Sequence, residues 1–215
     1  MQFDRSIAKR FVCFLIGLSV AGLGVALSTR PGLGTSPITS LPYVTTFAFP
    51  WTLGMATVAV NIFFIFLQMI ILKTYFQWKL FWQLPTLLLF GGFIDGGMFL
   101  TSFFISENYL LRVGEEIIGC VVLASGIGLL LAADISFMPG DGLIKTVSQV
   151  YKVPFGTVKV CFDSSIVISA IVFSLIFFRN ITGVREGTLL AAVLVGWFIR
   201  LQQPWIQKIK SYCNN

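Results

Sequence analysis

Six apolar runs, each near the roughly twenty residues an α-helix needs to cross a bilayer, set the terms on which this chain can fold. They occupy residues 11–28, 51–72, 81–104, 113–133, 155–178 and 187–201, the last being the shortest. No stretch between them is long or polar enough to read as a soluble domain. With 56% hydrophobic and 11% charged residues, the chain cannot hide its surface in water, since globular chains carry about a quarter charged residues. A helix satisfies its own backbone in lipid. The expected fold is therefore an all-α polytopic membrane protein, a single transmembrane domain.

The N-terminus imitates a secretory signal, with Arg5, Lys9 and Arg10 before an apolar run. The run is too long for a signal core and more spans follow, so it is read as a retained first helix. Basic residues then orient the molecule. With the N-terminus inside, ten of them fall on the cytoplasmic face: Arg5, Lys9, Arg10, Lys73, Lys79, Lys145, Lys152, Arg200, Lys208 and Lys210. Four (Arg30, Arg112, Arg179 and Arg185) fall outside, and Lys159 lies within a span. Both termini are expected in the cytoplasm. This asymmetry also accounts for the net charge of +6, so nucleic acid is not an expected partner.

Two segments break the pattern of plain spans. Residues 30–50 read RPGLGTSPITSLPYVTTFAFP and residues 138–154 read MPGDGLIKTVSQVYKVP. Each has a Gly/Pro turn, a capping residue (Ser36 or Asp141), a short helical pattern and a terminating proline. If the first crossed fully, Lys73 and Lys79 would move outside, so it is expected to dip in as a half-helix. The two segments belong to an internal repeat. Gly22 and Gly126, Pro50 and Pro154, and Gly92 and Gly196 share one offset (126 − 22 = 104). The halves run over about residues 7–104 and 111–208, each as span, short segment, span, span. Three spans per half is odd, so the second half enters from the opposite face. That predicts an inverted 3+3 repeat whose half-helices approach each other from opposite sides, the plan of many secondary transporters.

The Gly-rich first span, the PGLGTSP turn and its echo MPGDG resemble the YczE-like bacterial membrane proteins, a group that includes YyaS and, more distantly, YitT. The resemblance implies a bacterial inner (cytoplasmic) membrane protein of the kind regarded as a transporter. It supplies no substrate and no catalytic residues.

Candidate substrate-binding residues gather at the half-helix starts: Gly34, Thr35, Ser36, Pro37 and Thr39 in the first, with Ser40, and Gly140, Asp141, Gly142 and Lys145 in the second. Small residues admit close backbone approach, and free N–H groups at a helix start suit an anionic or carbonyl-bearing ligand. The alternative is an ordinary capped interfacial turn. Candidates for ion coupling are Asp95, among four glycines in GGFIDGGMF, and Asp163 with Lys159 one turn before it. A charge at the depth of Asp95 costs at least ~2.5 kcal/mol and must face protein or water. Lys159 and Asp163 can neutralise each other as a structural pair or act as a gate. Asn61, Gln68, Ser164 and Ser165 line a polar path or make interhelical bonds. Glu115, Glu116 and Asp134 read as solvated span ends, and Trp51, Trp78, Trp82 and Trp205 as interfacial anchors.

No enzyme is expected. There is no histidine, the four cysteines (Cys13, Cys120, Cys161 and Cys213) form no C-x-x-C, and neither a P-loop nor a nucleophile elbow occurs. No metal or cofactor is expected either. The expected function is a small secondary transporter or facilitator for a small polar or anionic solute, bound between the half-helix starts. The alternative is a non-transporting accessory that stabilises or regulates a partner. Expected partners are a small-molecule or ion substrate and membrane lipid, with a homodimer left open.

Overall fold

A computed structural model describes residues 2–72, 82–103, 107–136 and 138–214. The regular elements among them are all helices: α1 (Gln2–Thr29), α2 (Pro37–Ala48), α3 (Leu53–Leu72), α4 (Gln83–Leu100), α5 (Tyr109–Ala133), α6 (Pro139–Tyr151), α7 (Phe155–Phe178), α8 (Glu186–Leu201) and α9 (Gln203–Asn214). Ser6–Thr29 and the whole of α3, α4, α5 and α7 are long and apolar enough to span a membrane. The expected sixth span is α8, which meets α9 at a bend of 56° and passes the same test only together with it. Pro204, the second residue of α9, has no N–H to continue the ladder, and the chain turns there. Lys73, Trp78, Lys79, Phe81 and Phe104, which entered the reading of topology, lie outside the described residues.

The centre of the molecule is the pair α1 and α5. Gly17 touches Leu130, Gly24 meets Leu123, and Gly119 meets Ser28, while Gly126 lies against Ala21. Positions rise on one helix as they fall on the other, so the two run antiparallel. Gly17, Ala21, Gly24 and Ser28 form a small-residue stripe that lets the backbones nearly touch. A Cβ on Gly24 would strike the backbone of Leu123, and one on Gly126 that of Ala21.

On one side α4 packs against α1, with Gly22 beside Phe93, Ala26 beside Gly97, and Arg30 donating to the carbonyls of Met98 and Thr101. Here positions rise together, so the helices are parallel. α3 runs antiparallel to α4, with Val58 beside Gly91 and Ile65 packed with Leu87. The first half thus crosses three times, by α1, α3 and α4.

Each short helix lies against a long helix of the other half. α2 packs on α7 and α3, and α6 packs on α3 and α7. Likewise α1 packs on α4, and α5 on α8. Exchanging α1–α4 for α5–α8 therefore maps these contacts onto themselves. At 12 and 13 residues, α2 and α6 are about 18–20 Å long, short of a ~30 Å hydrocarbon core. Around them Phe63, Phe66, Ile176, Leu189 and Val193 are more than half exposed, an outward apolar surface suited to lipid. α9 is amphipathic and closes one end by laying Ile206 and Ile209 toward α5 and the core of α1.

Candidate functional site

The start of α2 is a buried knot of hydroxyls. The chain reaches it through Gly34, at φ +128°, where Thr188 stands where a side chain would project. The Thr35 hydroxyl lies 2.9 Å from that of Thr29 and 2.8 Å from that of Thr39, which is 2.7 Å from the Ser36 hydroxyl. All four residues are buried. Ser36 occupies the N-cap position before Pro37, but its hydroxyl bonds Thr39 rather than a free N–H. That corrects the expected side-chain cap: a hydroxyl neighbour one turn on competes for the same oxygen. The Ser40 hydroxyl donates to the Pro37 carbonyl at 2.6 Å. The first turn of α8 ties the loop down, with Gly187 N–H donating to Leu33 (2.8 Å) and Thr35 N–H to the Thr188 hydroxyl (3.3 Å).

The start of α6 is built differently. The helix opens at Pro139 with Met138 at its N-cap. Asp141 is therefore not the cap; it lies inside the first turn, where its charge still complements the exposed N–H groups. Gln68 of α3 donates to the Pro139 carbonyl at 2.9 Å and exchanges amide contacts with Gln83 of α4. Gly142 sits against both amides. Gln68 thus makes interhelical bonds, whereas Asn61 and Ser165 bond carbonyls of their own helices.

The two starts meet. The Ile38 side chain rests on Gly140, where a Cβ would collide with it, and Phe162 of α7 closes the same side. Beneath them Leu143, Phe64 and Ile166 form a packed cluster with Ile38, Leu41 and Val147. Of the predicted substrate residues, Gly140 is thus brought against the first turn of α2 through Ile38, with apolar side chains at the contact.

Lys159 joins two groups of residues that lie apart in the sequence. Its ammonium lies 3.1 Å from Asp163 and 3.9 Å from Asp141. The cluster spans α6 and α7 with two carboxylates to one ammonium, and each member is partly exposed. Ordinary attraction in such a setting is modest. A cavity of about 50 Å³ adjoins it, lined by Asp141, Asp134, Ser136 and Met138 with apolar residues of α5. Lys145 lies one turn further along α6, half-buried.

Asp95 is outside this assembly. Its carboxylate accepts from the Gly54 N–H at 2.7 Å and from the Thr52 hydroxyl at 2.6 Å, and Thr52 accepts from Met55 N–H. The side chain closes the start of α3 from a neighbouring helix, where free N–H groups and the helix dipole stabilise a negative charge.

Glu116 was expected at a solvated span end and is instead fully buried. α5 begins at Tyr109, earlier than the apolar run at 113, so Glu116 lies two turns inside. Its Oε1 is 4.0 Å from the Cys120 sulfur, and its Oε2 has no partner among the described residues. A 3.6-residue stripe through Gly119, Cys120 and Leu123 would have placed it inward.

The fold and this site define a small polytopic α-helical membrane protein with two short helices meeting start to start. The chain belongs to a family of unknown function, DUF6198, whose model matches residues 8–204. No curated protein and no solved structure matches it.

Proposed function

We propose that the protein is a small secondary transporter or facilitator whose solute binds between the first turns of α2 and α6. The observation that carries this reading is the contact of Ile38 with Gly140, where short helices from the two halves meet. Such starts present backbone dipoles and small residues to a ligand. A bound solute displaces Ile38 from Gly140. The charged residues beside these starts, Asp141, Asp163, Lys159 and Lys145, suit a small polar or charged solute. The basic-residue bias and the likeness of PGLGTSP to the YczE-like proteins support a bacterial inner membrane with both termini cytoplasmic.

A thermal-stability screen of purified protein against amino acids, amines and small anions tests this. A stabilising solute should lose its effect in Asp141→Asn and Lys159→Met, and proteoliposomes should take it up. Binding that survives both substitutions would contradict the assignment. The second reading, a non-transporting accessory, draws on the packed cluster of Phe64, Leu143 and Ile166 that fills the space under Ile38. It predicts no stabilising solute and copurification with a membrane partner.

A further inference from the structure

The buried carboxyl of Glu116 has no part in the site above. It lies on α5 where α1 crosses closest, one turn before the backbone contact of Gly119 with Leu27 and Ser28. Its exposure is 0%, and its Oε2 is the one buried side-chain oxygen or nitrogen among the described residues that lacks a hydrogen bond. The other carboxylates of the bundle are answered otherwise: Asp95 by a helix start and Asp163 by Lys159.

The groups facing Glu116 do not supply a counter-ion contact. From α2, Tyr43 comes within electrostatic reach of both Glu116 and Arg30. Arg30, at the end of α1, spends its guanidinium on the Met98 and Thr101 carbonyls of α4. On α8, which packs on α5, Arg185 and Glu186 pair with each other at 3.3 Å. On α5 itself Arg112 and Cys120 stand one turn to either side, with Glu115 adjacent. From α9 the charged residues are Lys208 and Lys210, and Lys210 pairs with Asp134 at the far end of α5. A carboxyl buried from solvent, with no cation or second donor against it among the described residues, holds a proton in preference to a charge.

We propose that Glu116 is a proton-binding site in the α1–α5 seam, taking up and releasing a proton there. This assignment goes beyond the transport reading and stands without it.

The test is infrared difference spectroscopy of the protein in lipid nanodiscs, stepped in pH, on wild type and Glu116→Gln. Wild type should show a carboxylic-acid band that converts to carboxylate and exchanges in D₂O, and the variant should lack it. A band that persists in Glu116→Gln, or that neither titrates nor exchanges, overturns the proposal, as does the absence of any such band. Should the variant fail to fold, wild type treated with dicyclohexylcarbodiimide, which modifies protonated carboxyls in apolar surroundings, serves instead. Mass spectrometry should find the adduct on Glu116, several-fold less at alkaline pH. An unmodified Glu116, or labelling that ignores pH, overturns it equally. Loss of solute uptake with the titration intact would remove only the transport reading.

Discussion

At Asp95 a charge inside an apolar helix is met by the open end of another helix. The need for a partner was legible in the sequence, because a carboxylate at that depth must face protein or water. The identity of the partner was not, since it depends on the register of α4 against α3, which no local pattern encodes. Two donors hold the carboxylate, so Asp95→Ala should lower stability by about 1–2 kcal/mol, the usual range for a lost cap. Asp95→Asn should recover part of it. Unfolding of the purified protein in mixed micelles measures both, and an unchanged Asp95→Ala would show that the contact is not a cap. Glu116 is hidden from the sequence for a different reason: charge near the end of an apolar run reads as the end of the helix, although its helical stripe points inward. The Lys159 cluster was half legible. The i, i+4 pair with Asp163 is a local pattern, but the approach of Asp141 comes from another helix. A double-mutant cycle on Lys159 and Asp141, both partly exposed, should give a coupling of roughly 0.2–1 kcal/mol; a coupling of zero would mean that the two do not interact in solution.

Among the elements, glycine position decides how closely helices approach. Gly24 and Gly126 lie where α1 and α5 touch, whereas Gly92 and Gly196 face open space. Valine at Gly24 or Gly126 should cost about 1–3 kcal/mol or more through overpacking, while alanine at Gly92 or Gly196 should stay within ±0.5 kcal/mol. Melting temperatures in one detergent compare all four, and equal effects would remove the close crossing from the account. The sequence showed these glycines as a repeated pattern but not which of them face a partner. It also placed five spans closely and ended the sixth at residue 201. The break at Pro204 and the docking of α9 on α5 and α1 went unread because α9 is amphipathic and too polar to register as a span. Asp141 was misplaced as a cap because Pro139 starts α6 two residues earlier.

Across the whole molecule, the repeat offset and the odd number of spans per half led to an inverted arrangement. The antiparallel contact of α1 with α5 is the form such inversion takes when the two equivalent helices pair with each other. What no sequence period reveals is that each short helix packs on a long helix of the other half, α2 on α7 and α6 on α3. That exchange brings Ile38 onto Gly140 and joins the two halves at the starts of their short helices. The central claim is that this junction opens in turn toward each face of the membrane. A single cysteine at Ile38, in a chain whose Cys13, Cys120, Cys161 and Cys213 are replaced by alanine, tests it directly. Membrane-impermeant maleimide would be applied to oriented vesicles from one face or the other. Slow labelling from both faces is expected, with a change in the ratio of the two rates when a stabilising solute is present. Labelling from one face alone, under every condition in which the protein is folded, would contradict it.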